Sequence, residues 1–179
     1  MELERGIIDM KIAIAGAGAM GSRIGLMLHQ AGNEVILIDR WPDHINAIRE
    51  KGLIGEFEDH EVIAHLPIYS PEEIVEDHAN VDLVVALTKL MQLEAMFQDI
   101  QPIIGKSTFV FCLLNGLGHE ETLSKFVPKE NIIFGTTTWT AGLAGPGHAK
   151  LVGTGSIEME NLDPKGKAFT LKVLEVFQK

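Results

Sequence analysis

The feature that most narrows what this chain can fold into is Gly16-Ala17-Gly18-Ala19-Met20-Gly21. Its three glycines have the G-x-G-x-x-G spacing and directly follow the apolar run Met10–Ala15 (MKIAIA). An amphipathic segment follows: Met20, Ile24, Met27, Leu28 and Ala31 recur at helical spacing between Ala19 and Ala31. Strand, glycine turn and helix are the context that gives the spacing meaning. Gly16 permits the tight turn, Gly18 lets a pyrophosphate approach the backbone, and Gly21 allows the helix to pack closely on the strand. The free N–H groups at the helix start, with the positive end of its dipole, then face the phosphates. These residues predict a dinucleotide site rather than a glycine turn that only packs.

The rest of the chain alternates apolar runs with helical patterns, which predicts a Rossmann-type, doubly wound α/β fold with a mostly parallel sheet. Further strands are read at Glu34–Ile38, Asp82–Leu87, Thr108–Leu114 and Asn131–Gly135. Helices are read from Pro42 to about Lys51, from Lys89 to Gln101 with Leu90, Leu93, Met96, Phe97 and Ile100 facing inward, and from His119 to Phe126. Gly52 to Pro67 breaks the rhythm and reads as a small antiparallel excursion, and a brief helix is expected from Pro71. Gly142–Gly147 (GLAGPG) reads as a loop, and Lys150–Met159 as one or two strands. Asp163-Pro164 gives an N-cap and a first-turn proline for a final helix. The expected organisation is a leader or extension at 1–9, the dinucleotide-binding domain at 10–162, and a helix at 163–179. Phe169, Leu171, Val173, Leu174, Val176 and Phe177 cover a wide arc of that helix. It is either an ordinary C-terminal helix or one leading to a helical domain absent from this chain.

Several function classes are disfavoured. A net charge of -10 repels phosphate backbones, so nucleic acid is not the expected partner. No apolar run approaches the roughly 20 residues that span a bilayer. A single cysteine excludes a disulfide framework within the chain and fits a reducing, cytoplasmic location. Seven histidines show no metal-ligand spacing, so no metal is expected. Cys112 lies in an apolar strand and reads as inert core. Gly105-Lys106-Ser107 resembles the end of a phosphate-binding P-loop, but Ile100 stands where its first glycine belongs, and a strand follows rather than precedes it.

In a doubly wound sheet, ligands lie outside the carboxyl ends of the strands. Asp39 and Arg40 end the second strand and argue opposite ways. An aspartate there accepts from the ribose hydroxyls of NAD, whereas an arginine can pair with the 2′-phosphate of NADP or simply be solvated. Thr88-Lys89 follows the third parallel strand, and Lys89 at a helix start would sit against an unfavourable dipole unless an anion lies nearby. Asn115-Gly116-Leu117-Gly118 follows the fourth, with Asn115 either facing a polar ligand or closing an Asx turn. Gly135-Thr136-Thr137-Thr138 follows the fifth and either lines a pocket or continues the strand.

This series resembles ketopantoate reductase (2-dehydropantoate 2-reductase): GAGAMG at 16–21, TK at 88–89, NGLG at 115–118 and GTTT at 135–138 followed by Ala141. The resemblance runs from Met10 to about Met159. It implies NAD(P)H-dependent reduction of ketopantoate to pantoate, a step toward pantothenate and coenzyme A. It implies cofactor contacts from Gly16, Ala17, Gly18, Ala19, Met20 and Gly21, from Arg40 at a 2′-phosphate, and from the backbone at Ala141. Lys89 and Asn115 are implied between cofactor and substrate, as the catalytic residues on this chain. NADP is the implied cofactor, with NAD open because of Asp39. The proton-donating lysine of the family belongs to its helical C-terminal domain, which has no counterpart here, so this chain alone is expected to be inactive. A 2-oxo acid is the expected partner, and a homodimer is left open. Two other readings stand beside this one: a related dehydrogenase of another 2-oxo or 3-hydroxy acid, and a dinucleotide-binding module without catalysis.

Overall fold

The computed structural model describes residues 10–75 and 80–178; the leader read at 1–9 lies outside them. The first strand, β1 (Lys11–Ala15), is followed by the helix α1 (Ala19–Gln30) and by β2 (Glu34–Ile38) and α2 (Pro42–Lys51). A short hairpin comes next, β3 (Leu53–Glu56) and β4 (Glu61–Ala64), and then a two-residue strand β5 (Ile68–Tyr69). The chain continues through β6 (Leu83–Ala86), α3 (Leu93–Asp99), β7 (Phe109–Cys112), α4 (His119–Leu123) and β8 (Ile132–Thr137). It closes with β9 (Thr140–Gly145), β10 (His148–Val152), β11 (Ile157–Asn161) and α5 (Lys167–Phe177).

Seven strands form one sheet in the order β11-β8-β7-β6-β1-β2-β5, parallel throughout except for β11, which runs antiparallel to β8. The chain starts in the middle, winds outward through β2 to β5, then crosses back to β6. This is the doubly wound order, and its reversal lies between β1 and β6. Alternate strand residues feed two cores. Ile12, Ile14, Leu37, Val85 and Phe111 face α1, α2 and α5. Ala13, Ala15, Ile38, Val84 and Cys112 face the other way, onto Leu93, Met96 and Phe97 of α3 and Leu123 of α4. Burial on both faces is why these strands read as uninterrupted apolar runs. α5 belongs to the first core: Val173 and Val176 are buried there, and Phe169 stacks on Phe109 at 3.9 Å between ring centroids.

A second sheet, β4-β3-β10-β9, is the main departure from the sequence reading. The expected hairpin forms, with Leu53 opposite Ala64 and Glu56 opposite Glu61. Its other edge then pairs in parallel with β10. The segment read as a loop at Gly142–Gly147 is mostly strand: Thr140–Gly145 pairs antiparallel with β10, and only Pro146-Gly147 turns. Its glycines suggested a loop, but hydrogen bonding to β10 supplies the order that side chains do not.

This sheet covers the side of α1 that faces away from the parallel strands, through contacts with β3, β9 and β10. α1 is therefore not a helix with one buried stripe. Ser22, Arg23 and Leu26 are buried along with Gly21, Ile24, Gly25 and Leu28.

Candidate functional site

The glycine turn is built by close packing. Gly16 has φ +103°, and a Cβ there would stand 2.6 Å from the backbone nitrogen of Thr88. β1 and β6 can approach this closely at the switch point only with glycine at 16. A Cβ on Gly21 would lie 1.9 Å from the Gly16 carbonyl oxygen, so the start of α1 rests directly on the turn. Gly18 differs from both. Its φ is -58°, and a Cβ built there meets nothing within 4 Å. No contact among the described residues requires a glycine at 18, so the backbone there is open to close approach by a ligand. Gly18 is also the N-cap of α1 and supplies no side-chain acceptor. The first N–H groups of the helix have no intrahelical partner and are left for an anion. These residues fit a dinucleotide pyrophosphate.

The turn is anchored from below. The Gly16 and Ala17 N–H groups donate to Ile38 O at 2.9 and 3.1 Å. Ser22 Oγ donates to Ala17 O at 2.7 Å. The buried His44 bridges two parts of the fold. Its Nδ1 accepts from Gly147 N–H at 2.9 Å, so Nε2 carries the proton and donates to Ala17 O at 2.9 Å. One imidazole thus ties the β9–β10 turn to the glycine turn.

Asp39 and Arg40 lie beside the turn, since Ala15 and Ile38 are paired. Asp39 Oδ1 accepts from Trp41 N–H at 2.9 Å. Arg40 is not a free cation: it pairs with Glu72 at 3.3 Å and with Asp99.

Beyond the carboxyl ends of β6, β7 and β8 lies a cleft of about 410 Å³. It brings together Met20 of the glycine motif, Thr88, Lys89, Asn115, Thr137 and Trp139. Lys89 is exposed and makes no ion pair among the described residues. It caps the 3₁₀ turn Leu90–Gln92, which runs directly into α3, so its charge stands at the N-terminal end of a helical segment as expected. The expected inward position of Leu90 also fails. Leu90 is 48% exposed, and with Met91 and Leu117 (97% and 94% exposed) it adds apolar surface to the described residues. Asn115 is exposed, and its side chain closes no Asx turn among the described residues. Of the threonines after β8, Thr137 lines the cleft, while Thr138 Oγ1 accepts from Ser156 N–H at 2.9 Å. Ala141 sits in β9 opposite Leu151 and does not line this cleft. Burial pushes the Cys112 thiol up, as suits a core residue.

Three participants escaped the sequence reading. Trp139 lines the cleft, Arg23 lies behind it, and His44 braces the turn. A cation in mid-helix gives no signal of its own, although His44 stands four residues before the buried Ile48. A further cluster, Glu56, Glu61 and His148, gathers on the second sheet. His148 Nε2 lies 2.8 Å from a Glu56 oxygen, and Lys150 Nζ 3.3 Å from the other, so a lysine already balances that carboxylate.

Fold and cleft together define a doubly wound domain with a glycine-rich turn at its switch point. The chain belongs to the ketopantoate reductase family: the family model described as ketopantoate reductase PanE/ApbA matches residues 12–164. The 2-dehydropantoate 2-reductase of Lactococcus lactis subsp. lactis is 53% identical over 167 residues, covering 93% of this chain and 53% of that protein. A crystal structure from Enterococcus faecalis, named as a 2-dehydropantoate 2-reductase, is 65% identical with a TM-score of 0.93, covering 94% of this chain and 54% of that one. A ternary structure of D-mandelate dehydrogenase with NADH and anilino(oxo)acetate is 56% identical with a TM-score of 0.90, again over 94% and 54%. The chain spans about half the length of these relatives. Among the described residues, no helix is long and apolar enough to cross a membrane.

Proposed function

We propose that this chain is the nucleotide-binding part of a nicotinamide-dependent reductase that converts ketopantoate to pantoate. One observation supports this most: Met20 of the glycine motif, Lys89 and Asn115 line a single cleft off the carboxyl ends of the parallel strands, beside the switch point. The cofactor, when bound, supplies the hydride. Gly18 and the first amides of α1 hold its pyrophosphate. Lys89 offers a positive charge, and Asn115 a donor and an acceptor, to a 2-oxo acid. The proton source belongs to the remainder of the protein, so residues 1–179 alone bind nucleotide without turning over substrate.

The cofactor we favour is NADH, whereas the family resemblance implies NADP. Arg40 is engaged by Glu72 and Asp99, and Asp39 stands beside it. A 2′-phosphate placed there would meet three carboxylates and one already paired guanidinium. Titration of NADH against NADPH tests this. NADH should bind at least about tenfold more tightly, a difference of about 1.4 kcal/mol. Asp39→Ala should narrow the gap and Arg40→Ala should leave NADH affinity in place. Tighter NADPH binding, lost in Arg40→Ala, would restore Arg40 as a 2′-phosphate ligand.

A second reading, reduction of an aromatic 2-oxo acid, is favoured by the likeness to D-mandelate dehydrogenase. Relative kcat/KM of the whole protein for ketopantoate and phenylglyoxylate separates the two. The whole protein binding NADH but reducing neither acid would leave the non-catalytic module.

A further inference from the structure

Arg23 is 4% exposed and has no carboxylate partner among the described residues. Burial lowers its pKa from the ordinary guanidinium value, although arginine stays charged. Its fork instead serves three carbonyl oxygens. Nη1 donates to Thr140 O at 2.7 Å and Val152 O at 2.9 Å, and Nη2 to Gly153 O at 2.9 Å. Taking a cation out of water without a counter-anion is costly, so the arrangement needs a return beyond three hydrogen bonds.

That return is the placement of Trp139. The guanidinium carbon lies 4.6 Å from the centroid of the Trp139 ring, within cation–π range. Gly155 lies close against the indole: a Cβ there would stand 1.8 Å from Trp139 Cδ1 and 2.7 Å from its Nε1. Arg23 and Gly155 thus leave the ring little freedom. Part of its surface enters the cleft, where it joins Met20, Leu87 and Leu113 as apolar lining, while Thr88, Lys89, Asn115 and Thr137 supply the polar lining. A 2-oxo acid has the same division, with a carboxylate and ketone at one end and an apolar substituent at the other.

We infer that Trp139 is a specificity-determining residue whose indole packs against the substituent on the ketone carbon and so sets how well a bulky substituent is held relative to a methyl group. Arg23 is its positioning residue. The inference rests on the reductase reading above and names the residue that reads the substituent.

The test is steady-state kinetics of the whole protein with ketopantoate, phenylglyoxylate and pyruvate, beside NADH affinity. In Trp139→Ala, kcat/KM for the two larger acids should fall about tenfold or more, mainly through KM, with pyruvate changed less than about twofold. NADH affinity should hold. Trp139→Phe should fall between, and carries the measurement if the alanine variant does not fold. Arg23→Met should shift the same substrate ratio, and adding it to Trp139→Ala should shift the ratio no further. An equal fall for all three acids overturns the inference, as does an unchanged ratio with weakened NADH binding, which would put the indole against the nicotinamide. Failure of the parent protein to reduce any of the three would instead remove the reductase reading itself.

Discussion

The two sheets of this molecule are held by different means. The seven-stranded sheet is stabilised on both faces by apolar side chains, among them Ile12, Ile14, Leu37, Val84, Val85 and Phe111, none more than 1% exposed. The four-stranded sheet has one buried face, through Leu53, Ala64, Ala149 and Leu151. Its placement also depends on two polar tethers: Arg23 from α1 grips one end of the β9–β10 hairpin, and His44 from α2 grips the turn. The lesson is that the seven-stranded sheet rests mainly on apolar packing, whereas the four-stranded sheet adds polar tethers, one of which, His44, also reaches the glycine turn.

The largest effect is expected at the junction of turn and helix. Gly21→Ala forces a methyl group into the Gly16 carbonyl and should cost about 3 kcal/mol, read as a lower denaturant midpoint with loss of protection across both sheets. Gly18→Ala, three residues away, should leave that midpoint within about 0.5 kcal/mol and weaken nucleotide binding. Equal destabilisation by the two would break the distinction between a packing glycine and a ligand-facing one.

Arg23→Met should come next, at about 2 kcal/mol, since Thr140 O and Gly153 O lose the guanidinium donor and Val152 O keeps only the longer bond from Thr140 Oγ1. Hydrogen exchange should speed up in β9 and β10 while β1, β6 and β7 keep their protection. Uniform acceleration would show that the sheets share one support. His44→Ala removes two hydrogen bonds and should cost about 1–2 kcal/mol, with exchange rising at Gly147 before it rises in β1.

The smallest effect belongs to acid. Arg49, followed by the Ser70 N–H, lowers the Glu73 pKa below the usual carboxylate range. The folded pKa is the lower one, so the stabilisation is fully present above the unfolded glutamate value and is lost as pH falls through the folded value. Both side chains are more than a third exposed, so the loss is small and salt-sensitive. Glu73→Gln should flatten that part of the stability–pH curve between about pH 4.5 and the acid limit; an unchanged curve would remove the pair from the account.

The sequence was most readable where burial is symmetrical. β1, β2, β6 and β7 appear as unbroken apolar runs because no face of them meets water. β5 was missed because two residues between Pro67 and Pro71 carry no periodicity. β9 was missed because TAGLAG has the composition of a turn, and its order comes from pairing with β10. The parallel pairing of β3 with β10 joins segments far apart in sequence and leaves no local trace. In the cleft, Lys89, Asn115 and Thr137 could be placed from their positions after strands. Arg23, whose partners are main-chain carbonyls, could not be read, since an acceptor of that kind has no letter.

α1 lies between the two sheets, and that has a mechanical consequence for ligand capture. A helix gripped from both sides cannot rock or slide when an anion arrives at its tip. The start of α1 is thereby held as a fixed anvil, and an anion docking there would incur little ordering cost.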